Sequence, residues 1–501
     1  MNRNLYLQLA ARMPDDAAPF IVMPDDRTYT YGDLKAWSGR LANALVASGV
    51  SPGDRVAVQA PKSPEFLFLY LACLRTGAVL LPLNTDYTAR EVDYFLGDAM
   101  PRLIVCAPGR KAEFAGTGER LTLGQDGDGS LIEACRDLPE AFATVEVADD
   151  DLAAILYTSG TTGVSKGAML SHANLASNAR VLAGFWRFTR SDVLLHPLPV
   201  YHTHGLFVAT NTCLMAGASM LFMPRFSGPE ALRLLPRATA MMGVPTHYHR
   251  LLAEPGLNPE LVKGMRLFVS GSAPLSAESH RAFEARTGHR ILERYGMTET
   301  NMITSNPYDG ERRAGSVGPA LPGVEVRVAD MASGKILPQG EIGVIEVRGP
   351  NVFKGYWQMP GKTAQEFRHD GFFITGDMGF IDPQGYVTIA GREKDLVISG
   401  GLNVYPAEVE TLLDALPGVR ESAVIGLPHP DLGEAVTAVV VPERPGAIDE
   451  QTIRASLGEE LAAFKIPKRV VFVAELPRNA MAKVQKKALR ESYADLYQPA
   501  A

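Results

Sequence analysis

The residues able to do chemistry gather in a few short stretches, the densest being Tyr157-Thr-Ser-Gly-Thr-Thr-Gly-Val-Ser-Lys-Gly-Ala-Met-Leu-Ser-His172. Gly160, Gly163 and Gly167 let successive backbone N–H groups converge on an anion. Thr158, Ser159, Thr161, Thr162 and Ser165 add hydroxyl donors, and Lys166 adds positive charge. Triphosphate is the expected guest. A Walker loop is excluded, because it needs Gly-Lys-Ser/Thr after four intervening residues and here Lys166 is followed by Gly167. A Gly/Ser/Thr surface linker shares the composition. It does not explain the strand-length apolar run Leu152-Ala-Ala-Ile-Leu-Tyr157 in front or the helix-like Leu170-Ser-His-Ala-Asn-Leu175 behind.

Other stretches carry single reactive groups. Tyr295-Gly-Met-Thr-Glu-Thr300 holds a carboxylate after a glycine turn, suited to Mg²⁺ or simply to the start of a helix. Phe373-Ile-Thr-Gly-Asp-Met-Gly379 offers Asp377, and Gly391 precedes Arg392. The segment 477–490 is basic, with Lys483, Lys486, Lys487 and Arg490, which a solvated face would also show. Pro199-Val-Tyr-His-Thr-His-Gly205 and Gly243-Val-Pro-Thr-His-Tyr-His-Arg250 are rich in histidine rather than aliphatics, so they do not read as a fatty-acyl tunnel. Arg250 is suited to bidentate pairing with a carboxylate and Ser272 to a further hydrogen bond, although an exposed arginine at the start of Leu251-Leu-Ala-Glu254 is the plainer reading.

In their order along nearly the whole chain, these stretches resemble the motif series of adenylate-forming enzymes, the superfamily of acyl-CoA synthetases, luciferases and nonribosomal-peptide adenylation domains. The resemblance implies two steps. ATP and a carboxylic acid give an acyl-adenylate and pyrophosphate, and a thiol, usually that of CoA, then displaces AMP. By that resemblance Thr158, Ser159, Gly160, Thr161, Thr162, Gly163 and Lys166 hold phosphates, and Thr298 contacts the α-phosphate while Glu299 holds Mg²⁺. Ser272, Ala273 and Pro274 with Glu293, Arg294 and Tyr295 form the adenine slot, and Asp377 and Arg392 take the ribose. Lys483 bridges carboxylate and α-phosphate, Lys394 is the hinge, and Ser399, Gly400 and Gly401 face the CoA channel in the second step. One departure is Ala482, where the family normally has glycine before the lysine. Related synthetases are switched off at that lysine by protein lysine acetyltransferases, which makes Lys483 a candidate for modification.

The histidine-rich stretches resemble those of malonyl-CoA synthetases, which implies an acid pocket of His202, Thr203, Arg250, Ser272 and Met302 and malonate as substrate. A CoA ligase for methylmalonate or another short or aromatic acid stays open, as does a catalytically weak AMP-binding or scaffold protein. A carrier-protein adenylation enzyme is disfavoured because no carrier domain follows.

Positioning these groups calls for an α/β fold. Helix-period residues Leu34, Trp37, Leu41, Ala44 and Leu45 lead into the strand Arg55-Val-Ala-Val-Gln59, and further strands are expected at 103–106, 193–195, 219–222, 266–269 and 342–348. The resemblance implies a large N-terminal domain, 1–393, of sheets covered by helices that holds ATP and acid. A small mobile α+β domain follows at 394–501, with strands at 396–398, 423–425, 438–441 and 470–473. With 501 residues, 46% of them hydrophobic, a large core is available. The net charge of −7 argues against nucleic acid as the main partner. Cys73, Cys106, Cys135 and Cys213 have no metal or disulfide spacing and read as buried thiols. The N-terminus lacks signal-peptide character, and Phe66-Leu-Phe-Leu-Tyr-Leu-Ala-Cys-Leu74 is too short to span a bilayer, so a cytoplasmic location without membrane contact is expected.

Overall fold

The computed structural model describes residues 2–111, 119–158, 165–399, 402–461, 463–479 and 483–497, leaving aside the side chains of Glu393 and Asn403. Among these residues the chain forms four sheets. The largest runs, in spatial order, Asn301–Ser305, Leu292–Met297, Leu267–Ser270, Ala240–Gly243, Val193–His196, Ser219–Phe222, Pro19–Val22 and Thr28–Thr30. Its interior pairs are parallel and its two edge pairs antiparallel. Leu267–Ser270 and Ala240–Gly243 are buried throughout, as parallel strands covered on both faces must be. A second sheet orders Glu119–Thr122, Leu103–Cys106, Arg55–Gln59, Val79–Pro82, Leu152–Thr158 and Lys166–Ser171. Its last pair is an antiparallel hairpin.

One hydrophobic core joins both sheets through the helices Tyr31–Ala47, Pro64–Thr76 and His172–Phe185. Pro64–Thr76 contains the apolar run noted above, and every one of its residues is buried, the fate of a helix that is hydrophobic all round. Ser63 caps it by accepting the Phe66 N–H, and Gly77 ends it at φ +69°. Truncating a side chain such as Phe68, fully buried here, would cost about 3 to 5 kcal/mol. Among the described residues no helix is long and apolar enough to cross a membrane. All four cysteines are buried and none forms a disulfide.

An antiparallel sheet of Glu325–Ala329, Gly343–Arg348, Phe373–Ile381 and Val387–Arg392 completes the large domain. The chain leaves that sheet at Arg392, makes a short 3-10 turn, Glu393–Asp395, and enters the sheet of the small domain at Val397. There Leu402–Val404, Val397–Ser399, Gly433–Pro442 and Val419–His429 follow one another, Arg469–Phe472 pairs with Gly433–Pro442, and the helices Pro406–Asp414 and Glu450–Glu460 pack nearby.

Two local expectations shift. The helix expected to open at Leu170 begins at His172, because Leu170 and Ser171 finish the strand and Ser171 forms a capping box with Asn174. Arg266 precedes its strand, since its guanidinium turns aside to grip Asp192 at 2.6 Å.

Candidate active site

The hairpin Leu152–Thr158 and Lys166–Ser171 pairs Thr158 with Lys166. Ser159, Gly160, Thr161, Thr162 and Gly163 lie outside the described residues, as do Gly400, Gly401 and Ala482. Lys166 is not loop but strand, and it is buried. Its ammonium sits 4.1 Å over the Tyr356 ring and 3.5 Å from Glu366 Oε1. The Tyr356 hydroxyl donates to Glu299 at 3.0 Å, and Thr158 Oγ1 donates to the same oxygen at 3.4 Å. Burial raises the Glu299 pKa, while Tyr356 and Lys166 oppose that rise. Glu299 does not open a helix; it occupies the turn between Leu292–Met297 and Asn301–Ser305, with half-buried Thr298 before it. Among the described residues no three His, Cys, Asp or Glu gather as a metal cage. One buried carboxylate fits Mg²⁺ only in its phosphate-bridging mode.

Asp377 and Arg392 face each other across adjacent strands, with Arg392 Nε 2.7 Å from Asp377 Oδ1. Tyr295 donates its hydroxyl to the other carboxylate oxygen. Asp377 and burial together raise the Tyr295 pKa, burial being the larger cause. Glu293, on the same strand, is buried, accepts the Gly315 N–H at 3.3 Å, and has its pKa pushed up to about 8 by desolvation. Ala273 is half-buried and Pro274 exposed.

A second group of side chains lies next to this nucleotide side. Val193–His196 leads to Thr203 and the π-helical turn His204–Thr210, whose Gly205 carbonyl receives Thr210 Oγ1 and faces His196 Nε2, each at 3.0 Å. Only glycine fits there, since a Cβ would fall 2.0 Å from the Pro199 carbonyl oxygen. This turn buries Thr203 and His204, and the His204 N–H donates to His202 Nδ1 at 3.2 Å. Ser272 Oγ stands 3.2 Å from His204 Nδ1, from a backbone held at φ +72°, a strained setting for serine. Burial drives both histidines neutral, His202 to about 3, with Lys483 and Arg294 adding repulsion. Met302 is buried on the neighbouring strand Asn301–Ser305.

Arg294 is the unexpected member. It is only 3% exposed, and its Nε and Nη2 have no hydrogen-bond partner among the described residues. The guanidinium lies against Gly271, where a Cβ would fall 2.4 Å from its central carbon. Desolvation lowers its pKa to about 9. Its charge is felt by His202, His204 and Lys483. Thr203 Oγ1, His204 Nε2 and Ser270 Oγ are likewise buried without partners among the described residues. Arg250 is exposed, in the last turn of Pro245–Ala253, and its charge acts on half-buried His247.

Lys483 keeps solvent access, yet the charges that shift it are those of the cleft: Arg392, Asp377, Arg294 and Glu299. Burial, with Arg392 next, lowers its pKa. Lys486 and Lys487 turn elsewhere, to Glu410 at 2.6 Å and Glu491 at 3.8 Å. Exposed Lys394 lies in the turn between the domains after Gly391, whose φ is +147°, and Ser399 is buried. Sequence reasoning passed over His204, Ser270 and Tyr356 as site residues and gave Arg294 to the adenine slot. The His-Thr-His pair was a usable signal for His204, whereas Ser270 and Tyr356 carry none outside the folded chain.

Buried Glu299 beside the Thr158–Lys166 hairpin, the Asp377–Arg392 pair, and Lys483 of the small domain, whose charge is coupled to both, gather in one cleft. The AMP-binding enzyme family matches residues 7–357, and the AMP-binding enzyme C-terminal domain matches 408–483. The chain belongs to this family of adenylate-forming enzymes and is a CoA ligase within it, a class that uses ATP and CoA. MatB from Rhodopseudomonas palustris, solved with ATP bound, is 58% identical over 99% of this chain and 100% of that one, with a TM-score of 0.98. Its apo structure gives 0.87. A sulfoacetate–CoA ligase of Cupriavidus necator is 36% identical, covering 95% of both chains. A malonate–CoA ligase of Arabidopsis thaliana is 34% identical over 94% of this chain and 86% of its own length.

Proposed function

We propose that this protein is an ATP-dependent malonate:CoA ligase. The observation that carries the reading is Arg294, a buried guanidinium without a counter-charge, beside His204 and Ser272. A buried charge is retained at a cost of several kcal/mol unless something pairs with it, and an acid keeping a second carboxylate after activation supplies that partner. We therefore move Arg294 from the adenine slot to the acid pocket of His202, Thr203, Ser272 and Met302, with exposed Arg250 drawing the diacid in beside His247. The similarity to a malonate–CoA ligase supports the same substrate.

In the first step one malonate carboxylate attacks the α-phosphorus and pyrophosphate leaves. Lys483 sits between carboxylate and phosphate, relieving the charge crowding that forms the barrier, and Thr298 adds a hydroxyl to the α-phosphate. Lys166 and the residues Ser159, Gly160, Thr161, Thr162 and Gly163 hold the outgoing phosphates. Glu299 would hold Mg²⁺, which neutralises phosphate charge when bound. Glu293, Ala273, Pro274 and Tyr295 flank adenine, and Asp377 with Arg392 takes the ribose. The small domain then turns about Lys394, withdrawing Lys483 and bringing Ser399, Gly400 and Gly401 towards the CoA channel. The CoA thiol loses its proton and attacks the acyl carbonyl, and AMP departs. Acetylation of Lys483 by a protein acetyltransferase would silence the first step by removing its charge. We place the enzyme in the cytoplasm, where ATP and CoA are at hand.

Sulfoacetate is the second reading, since its sulfonate presents the same charge to Arg294 and one relative is named for it. The test is CoA-dependent AMP formation with malonate, methylmalonate, sulfoacetate, propionate and benzoate. Malonate should give the highest kcat/KM, and a preference for propionate or benzoate would refute a pocket built for a second anionic group.

A further inference from the structure

Lys486 has no part in the chemistry above, yet it is more deeply held than Lys483. The segment carrying Lys483 doubles back on itself. The Asn479 N–H donates to the Lys483 carbonyl at 3.0 Å, the Lys483 N–H donates to Asn479 Oδ1 at 3.0 Å, and the Gln485 N–H donates to the Pro477 carbonyl at 2.8 Å. Val484 packs against the apolar cluster that holds Leu476 and Leu489, and an ion pair stands at each end of the segment. Arg478 pairs with Glu421 on Val419–His429, and Lys486 Nζ lies 2.6 Å from Glu410 Oε1 on the helix Pro406–Asp414.

The second pair is unusually well set. Its side chains are 18% and 20% exposed, so water screens it less than a surface pair. Glu410 is itself anchored, accepting the Val424 N–H at 2.7 Å. The surroundings make the lysine necessary. Glu410, Glu421 and Asp414 gather on one patch, and Asp414, whose carboxylate takes the Ser422 hydroxyl at 2.7 Å, is pushed up to about 7 by burial and these acidic neighbours. Lys486 and Arg478 are the cations facing that patch from the lysine segment, while Arg490, further on, pairs at 2.6 Å with Asp395 next to the hinge residue.

We infer that Lys486 and Glu410 form a positioning pair for Lys483, fixing where its ammonium stands when the small domain is in the adenylate-forming arrangement. The inference rests on the assignment of Lys483 to the first step. Once the domain turns, Lys483 is withdrawn, so loss of the pair slows acid activation and spares thioester formation.

The test uses the full-length enzyme and measures the two half-reactions separately. Glu410→Gln keeps an oxygen for the Val424 N–H and removes the charge. Acid-dependent ATP–pyrophosphate exchange should fall by about 10- to 100-fold, the upper figure being the scale of a catalytic group displaced by 1 Å, while supplied acyl-adenylate is converted by CoA at close to the parent rate. Lys486→Met should behave alike, the double variant should be no worse than either single one, and Lys486→Arg should retain exchange. Unchanged exchange in Glu410→Gln, equal loss in both half-reactions, or failure of Lys486→Arg would overturn the inference. Lys483→Ala runs alongside. Should it keep exchange, nothing remains to be positioned and the inference falls through Lys483 rather than through Glu410. Exchange is measured with malonate and with sulfoacetate, so a parent inactive with malonate counts only against the substrate reading.

Discussion

Arg294→Met keeps roughly the length of the side chain and removes a buried charge that has no ion pair among the described residues. Desolvation lowers the guanidinium pKa from 12.5 to about 9. At about 1.36 kcal/mol per pKa unit, that difference sets an upper bound near 5 kcal/mol on what the charge costs the fold. Allowing half of that for relaxation and imperfect packing, the variant should be more stable than the parent by about 2 kcal/mol, a rise of about 2 to 4 °C in Tm. The sign has a pH signature. Below pH 9 the group is charged in folded and unfolded chains alike and the whole cost is present. Above it the folded protein sheds the proton first and stability recovers, so the gain from the substitution should be largest at pH 7 and fade towards pH 11.

Function should move the other way. Losing a buried charge-assisted pair costs about 2 to 5 kcal/mol, which lowers kcat/KM for malonate by about 30-fold to several thousandfold. Propionate, which brings no second charge, should be used as well as by the parent or better. Differential scanning calorimetry at several pH values and steady-state kinetics with both acids check the two halves. A variant that melts earlier and still prefers malonate would refute the reasoning, since it would make Arg294 a structural residue.

Glu293→Gln should matter mainly at alkaline pH. Burial raises the folded-state pKa from 4.5 to about 8, so the parent loses stability as pH rises through that window. The amide should remove a decline of about 2 to 4 kcal/mol between pH 5 and 9, read from urea midpoints. Lys394→Pro should leave pyrophosphate exchange largely intact and slow thioester formation, and equal loss in both would count against a hinge there. Arg250→Ala should raise KM for malonate more than it lowers kcat, as expected of an exposed charge that steers an anion, with the effect shrinking at high salt. An unchanged KM at low salt would end that role.

Much of the geometry around Tyr157 and Asp377 was legible because the residues lie in short stretches whose local order is also their spatial order. The run before Tyr157 became the strand Leu152–Thr158, and Asp377 and Arg392, read from separate stretches, fall opposite each other in strand register. What could not be read is what depends on distant partners. Glu299 is held by Thr158 and Tyr356, 141 and 57 positions away. Lys166, between Ser165 and Gly167, looked like loop because its strand pairing with Thr158 is invisible one residue at a time. The start of the helix at His172 was missed because Leu170 suits a strand end as well as a helix start, and only the Ser171 cap decides.

The two arginines show the same limit most sharply. Arg250 ends a histidine-rich stretch and Arg294 sits between Glu293 and Tyr295, so chain neighbours assign the first to the acid and the second to the nucleotide. Burial reverses the emphasis: Arg250 is exposed, and Arg294 is sealed in with unpartnered Thr203, His204 and Ser270 atoms around a strained Ser272. Each of these features costs stability in isolation, by about 1 to 3 kcal/mol for an unpaired polar group or a residue in a rare conformation. A core as large as the one joining the two parallel sheets can bear that cost in one place. The proposed diacid would give Arg294 and its polar neighbours the partners that the fold leaves wanting, a relation that no single motif in the chain announces.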